Sequence, residues 1–142
     1  MKNRSMILSL ILILFVFVLA GCKIENKNNV VPADMETSPA EYKNMSVEEL
    51  HTQLENKDFF LVDVHIPEQE HLAGTDKFIP YDTILQNLDQ LPQDKNAKIV
   101  LYCRSGTMSE DAAQELSNAG YTNVYNVLGG MNAWKEKGYA VR

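Results

Sequence analysis

Cys103 is the residue of this chain best placed to do chemistry. It closes a short apolar run, Ile99-Val100-Leu101-Tyr102, and a small polar stretch follows, Arg104-Ser105-Gly106-Thr107-Met108-Ser109. A helical pattern begins immediately after. Such an arrangement predicts a buried strand that delivers the cysteine to a loop over a helix N-terminus. The first turn of a helix has N–H groups without intrahelical partners, and it carries the positive end of the dipole. Both features stabilise an anion, and the nucleophilic form of cysteine is the thiolate. The expectation is one reactive sulfur presented by a loop.

The rest of the cysteine count supports that expectation. The chain has two cysteines. The other, Cys22, follows a positive start (Lys2, Arg4), an almost wholly apolar stretch from Met6 to Ala20, and the small residues Ala20-Gly21. That is the layout of a secretory leader, too short to read comfortably as a membrane span. Leu19-Ala20-Gly21-Cys22 also resembles the lipobox of bacterial lipoproteins. The resemblance implies removal of residues 1–21, diacylglycerol on Cys22 and attachment to a membrane, facing outside the cytoplasm. With Cys22 blocked, Cys103 has no internal partner for a disulfide. Loss of Lys2 and Arg4 with the leader takes the net charge from −6 to −8. So acidic a surface suits neither nucleic acid nor anionic headgroups, and any anion must be held by local backbone groups.

The elements that must position the cysteine follow in order. Residues 22–40 are rich in Lys, Asn and Glu, with Pro32 and Pro39, and read as a flexible tether. The domain proper is 41–142. A short edge strand is expected around Glu41 to Asn44. Ser46-Val47-Glu48-Glu49 is a capping box, after which Val47, Leu50 and Leu54 share a helical face, with His51 beside it. Asp58 to Val64 is a continuous apolar run, as for a strand buried on both faces of a parallel sheet. After a polar loop, Phe78-Ile79 predicts another strand, stopped by Pro80. Asp82 is expected to cap a helix with Ile84, Leu85, Leu88 and Leu91 as its stripe. Ser109 is expected to cap the helix after the loop, which places Met108, Ala112, Leu116 and Ala119 on one face and closes at Gly120. A strand over Asn123 to Val127, a turn at Gly129-Gly130 and a helix from Met131 to Lys137 complete the pattern, with Trp134 as core anchor. Strands alternate with helices, so the fold is α/β with a mainly parallel sheet, and the cysteine lies where such sheets bind ligands.

Three separated signatures together resemble the single-domain rhodaneses, a sulfurtransferase family: Val62-Asp63-Val64, Tyr102-Cys103-Arg104-Ser105-Gly106, and Gly129-Gly130-Met131-Asn132-Ala133-Trp134. The resemblance covers about residues 40–142. It implies a five-stranded parallel sheet flanked by helices, and a cysteine cycling between thiol and persulfide without metal or organic cofactor. On that reading Cys103 takes the outer sulfur of a donor such as thiosulfate and passes it to a thiophilic acceptor, cyanide or a small-molecule or protein thiol. Backbone groups from Arg104 through Ser105, Gly106, Thr107 and Met108 to Ser109 then form the anion cradle.

The sequence also departs from the family pattern. His65 stands where many relatives have Arg, Met108 stands where many carry a second loop Arg, and Glu70-His71-Leu72-Ala73-Gly74 replaces a usual Gly-His-Ile segment. Arg104 is the loop's remaining cation, with a structural salt bridge as its alternative role. The sparse cations motivate a rival function, a persulfide or redox carrier that acts with a thiol partner protein and turns over little free thiosulfate. A cysteine phosphatase needs Cys-x5-Arg to grip phosphoryl oxygens, and Ser109 occupies that place. His65 and His71 without a third ligand do not make a metal site. Asp63 is expected to satisfy loop N–H groups.

Overall fold

The computed structural model describes residues 41–142. The expected leader over 1–21, Cys22 and the expected tether to residue 40 lie outside the described residues. By its internal contacts the chain separates into Met1–Glu36 and Thr37–Arg142, and everything below concerns the second unit. Among the described residues no helix is long and apolar enough to cross a membrane.

Five strands form one parallel sheet: β1 (Lys43–Met45), β2 (Phe60–Asp63), β3 (Lys77–Phe78), β4 (Ile99–Tyr102) and β5 (Val124–Val127), in the order β1-β5-β4-β2-β3. Helix α1 (Val47–Leu54) follows β1, a 3₁₀ segment (Tyr81–Gln90) follows β3, α2 (Thr107–Asn118) follows β4, and α3 (Gly130–Glu136) follows β5. The central strand β4 is buried at every residue, as its unbroken apolar run requires. Side chains alternate across it. Ile99, Leu101 and Cys103 join Ile84, Ala112, Ala113 and Leu116 in one core layer. Val100 and Tyr102 join Val47, Leu50, Met131 and Trp134 in the layer on the opposite side. Each fully buried leucine in these layers contributes about 1.5–3 kcal/mol.

Most local signals operate as expected. Ser46 Oγ accepts from Glu49 N–H (3.1 Å) and Glu49 Oε2 accepts from Ser46 N–H (2.8 Å), so the capping box is complete. Gly120, at φ +90°, ends α2, with Tyr121 N–H returning to Leu116 O (3.1 Å). Trp134 is 2% exposed and donates its indole N–H to Ala140 O (2.9 Å). His51 is exposed and stacks on Tyr139 at 3.9 Å between centroids.

Two expected caps are absent. The segment from Tyr81 is 3₁₀ rather than α, Pro80 stands at its N-cap, and no side chain caps it, so Asp82 does not have that role. A uniform 3₁₀ helix would place Leu85, Leu88 and Leu91 on one face, and the kink at Asn87 is what breaks that stripe. Ile84 and Leu91 are buried, the chain kinks at Asn87, and Leu85 falls off the stripe, 44% exposed. At α2 the N-cap is Gly106, at φ +103°. Ser109 is therefore inside the first turn, and it points inward.

Candidate functional site

β4 and β2 are neighbours, but the chain leaves their carboxyl ends in opposite directions, toward β5 and toward β3. Such a divergence, at the carboxyl ends of neighbouring strands, is where open α/β sheets form their ligand crevice. Cys103 lies at its β4 side, and Asp63, Val64 and His65 lie at its β2 side.

The Cys103 sulfur receives Gly106 N–H at 3.1 Å, and the Ser109 hydroxyl lies 3.5 Å away. The N–H groups of Arg104 and Ser105 in the loop, and of Thr107 and Met108 in the first turn of α2, find no acceptor among the described residues. Arg104, Ser105 and Thr107 are exposed, Met108 is half-buried against the apolar layer that holds Cys103, and Gly106 and Ser109 are buried. Arg104 makes no ion pair among the described residues, so the structural salt bridge considered for it is absent. Cys103 itself is 1% exposed. The sulfur is therefore the floor of the loop rather than a tip presented to solvent, and the expectation of an openly displayed thiol is corrected on this point. The physical reason is parity: position 103 points to the same side as Ile99 and Leu101, beneath the start of α2.

The other two signatures explain how the loop is held. Met131 N–H donates to Cys103 O (2.9 Å) and Asn132 N–H to Arg104 O (2.9 Å), so the first turn of α3 binds the backbone of the cysteine loop. Gly130 has φ +52°, and a Cβ there would lie 2.2 Å from Cys103 O. Only glycine admits that approach. Asp63, fully buried, accepts His65 N–H at Oδ1 (3.0 Å) and meets His71 Nδ1 at Oδ2 (2.9 Å). It satisfies loop N–H groups as expected. His71 also reaches Glu68 (3.2 Å), and His65 Nδ1 meets Pro67 O (2.8 Å), so the two histidines are engaged in the loop that follows β2. Among the described residues no cluster of three His, Cys, Asp or Glu could hold a metal.

Two participants had no signal in the sequence. Asn126, on β5 and 2% exposed, accepts Ser109 O–H at 2.7 Å and contacts Asn44 Oδ1 at 3.4 Å. Tyr102 OH accepts Leu72 N–H (3.0 Å) and shares a bond with Thr75 Oγ1 (2.8 Å), tying the altered Glu70–Gly74 segment to the strand that carries the cysteine. A β5 asparagine or a pre-cysteine tyrosine reads locally as strand filler, and only pairing across the sheet reveals either contact.

Burial pushes the Tyr102 phenol well above its ordinary value, and the nearby Asp63 carboxylate adds to the rise. An unfolded tyrosine ionises near pH 10. Above that pH the unfolded chain releases a proton that the folded one keeps, so stability falls as pH rises. The urea midpoint is expected to decline from about pH 10 upward. Tyr102→Phe should flatten that decline.

A family model for the rhodanese-like domain matches residues 46–137. A sulfurtransferase of Allochromatium vinosum is 30% identical over 89 residues, covering 61% of this chain and 81% of that protein. The thiosulfate sulfurtransferase PspE of Escherichia coli is 37% identical over 71 residues, covering 48% of this chain and 67% of that protein. A tRNA uridine(34) hydroxylase of Erwinia tasmaniensis is 33% identical over 104 residues, but this chain spans only 30% of its length. Among solved structures, a rhodanese-like domain protein from Staphylococcus aureus aligns with a TM-score of 0.57 at 33% identity, covering 65% of this chain and 90% of that one. The parallel five-stranded sheet, the cysteine at the end of its central strand and the matched span lead to one assignment: this chain belongs to the rhodanese-like domain family.

Proposed function

We propose that the protein is a sulfurtransferase that carries a sulfane sulfur on Cys103. One observation carries the reading: Gly106 N–H donates to a sulfur at the carboxyl end of the central strand, and the Ser109 hydroxyl lies 3.5 Å from it. The unpartnered N–H groups of the same loop suit the negative charge that each transfer step places there. In the first step the Cys103 thiolate attacks the outer sulfur of a donor such as thiosulfate. A Cys103 S–S bond forms, the donor's S–S bond breaks, and sulfite leaves with the electron pair. In the second step an acceptor nucleophile, cyanide or a thiolate, attacks the terminal sulfur and Cys103 leaves as thiolate. The persulfide's outer sulfur stands about 2 Å beyond the buried Sγ, so it is the atom an acceptor meets.

The single loop cation, Arg104, and the half-buried Met108 favour a monoanionic or thiol-borne sulfur over a dianion as the natural donor. The leader-like start and Cys22 support attachment to the outer face of a membrane through lipid. Incubating the protein with thiosulfate and measuring intact mass should show one added sulfur in the wild type and none in Cys103→Ala. Thiocyanate formation with cyanide should likewise be lost in the variant. A persulfide without thiocyanate would assign the carrier role instead. No added sulfur from thiosulfate or from a small-molecule persulfide would overturn both. The mass of protein taken from its own cells reports Cys22 lipid in the same measurement.

A further inference from the structure

Ser109 Oγ bears one hydrogen yet lies within reach of three acceptors: Asn126 Oδ1 at 2.7 Å, Gly106 O at 3.0 Å and Cys103 Sγ at 3.5 Å. Gly106 O already accepts Glu110 N–H at 3.0 Å. With the amide of Asn126 as placed, the shortest contact claims the proton and the sulfur receives none from Ser109. That arrangement leaves Asn126 Nδ2 with one long bond, 3.4 Å to Asn44 Oδ1, at a residue that is 2% exposed. The two ends of a carboxamide have nearly the same shape, so a half-turn exchanges donor and acceptor without displacing neighbours. After the turn Nδ2 donates to Ser109 Oγ, and Oδ1 faces Asn44. Asn44 is exposed and directly opposite in the β1–β5 register, so its own amide can turn to donate.

We propose that Asn126 is a positioning residue whose amide orientation decides whether the Ser109 hydroxyl donates to the Cys103 sulfur. The amide turns when that sulfur becomes anionic. A neutral thiol leaves the Ser109 proton on Asn126. A thiolate, the form that attacks and leaves in the transfer reading on which this half of the proposal rests, draws that hydrogen bond to itself and is then held by both Gly106 N–H and Ser109 O–H. Only hydrogen bonds change hands, and Asn44 absorbs the turn at the protein surface.

The experiment measures ultraviolet thiolate absorbance of the full chain at neutral pH, with Cys103→Ala as the blank. Ser109→Ala is expected to lower the thiolate-to-thiol ratio about tenfold, the loss of one hydrogen bond to a charged partner. Asn126→Leu, in contrast, removes the competing acceptor, frees the hydroxyl for the sulfur and should raise the ratio. The double variant should match Ser109→Ala alone, because Asn126 acts on the sulfur only through that hydroxyl. Should leucine prevent folding, Asn126→Ala, which also removes the competing acceptor, carries the same expectation. A wild-type thiolate signal in a folded Asn126 variant, or an Asn126 effect that persists undiminished in the Ser109→Ala background, would overturn the proposal. A purely structural Asn126 would lower the melting temperature and leave the absorbance unchanged. Failure to form a persulfide, with the thiolate signature behaving as expected, would reject sulfur transfer and leave the relay standing.

Discussion

Gly130→Ala is expected to destabilise the domain by about 4 kcal/mol and to abolish persulfide formation with it. Three costs add. An L-residue in the left-handed region costs roughly 1–2 kcal/mol. The new Cβ would overlap Cys103 O at 2.2 Å and Arg104 C at 3.0 Å, both backbone atoms that cannot swing aside. Relief of that overlap separates Met131 N–H and Asn132 N–H from the carbonyls they hold, and each such bond is worth about 1 kcal/mol. Gly138→Ala is the control, since Gly138 shares the positive φ (+73°) but would find nothing within 4 Å of its Cβ. Urea denaturation should separate the pair: about 1–2 kcal/mol for Gly138→Ala, at least twice that for Gly130→Ala. Equal losses would mean that α3 does not fix the cysteine loop.

Asp63→Ala is expected to cost about 3–5 kcal/mol. The carboxylate is fully buried, and its removal leaves His65 N–H without its acceptor and His71 Nδ1 without its partner. Asp63→Asn should cost much less, because its amide oxygen still accepts His65 N–H and its nitrogen can donate to a neutral His71. Chemical denaturation of both variants checks the order. A small loss for alanine would show that the loop after β2 is held without Asp63, and that the β2 side of the crevice does not depend on this network.

The sequence is informative where the physical cause is local. A capping box needs four consecutive residues, and Ser46 to Glu49 form one. A buried parallel strand needs only an unbroken apolar run, and Ile99 to Tyr102 form it. Gly120 at a helix end announces its own backbone. Period is less secure: Ile84, Leu85, Leu88 and Leu91 fit an α-helical stripe, yet proline and the kink at Asn87 yield 3₁₀ geometry and leave Leu85 in solvent. Sequence spacing cannot tell 3.0 from 3.6 residues per turn over so short a stretch.

By itself, then, the sequence determined the alternation of strands and helices, the cysteine at a strand end before a glycine-bearing turn, and the three separated signatures, because each is written in neighbouring residues. Only the tertiary structure decided what those residues face. It turned Ser109 from a cap into a donor against Asn126, 17 positions away, buried Cys103 beneath α2, and set two N–H groups of α3 on the carbonyls of Cys103 and Arg104. These are contacts between segments that meet only when the sheet assembles, and a hydrogen bond's direction depends on that meeting rather than on the type of residue that makes it.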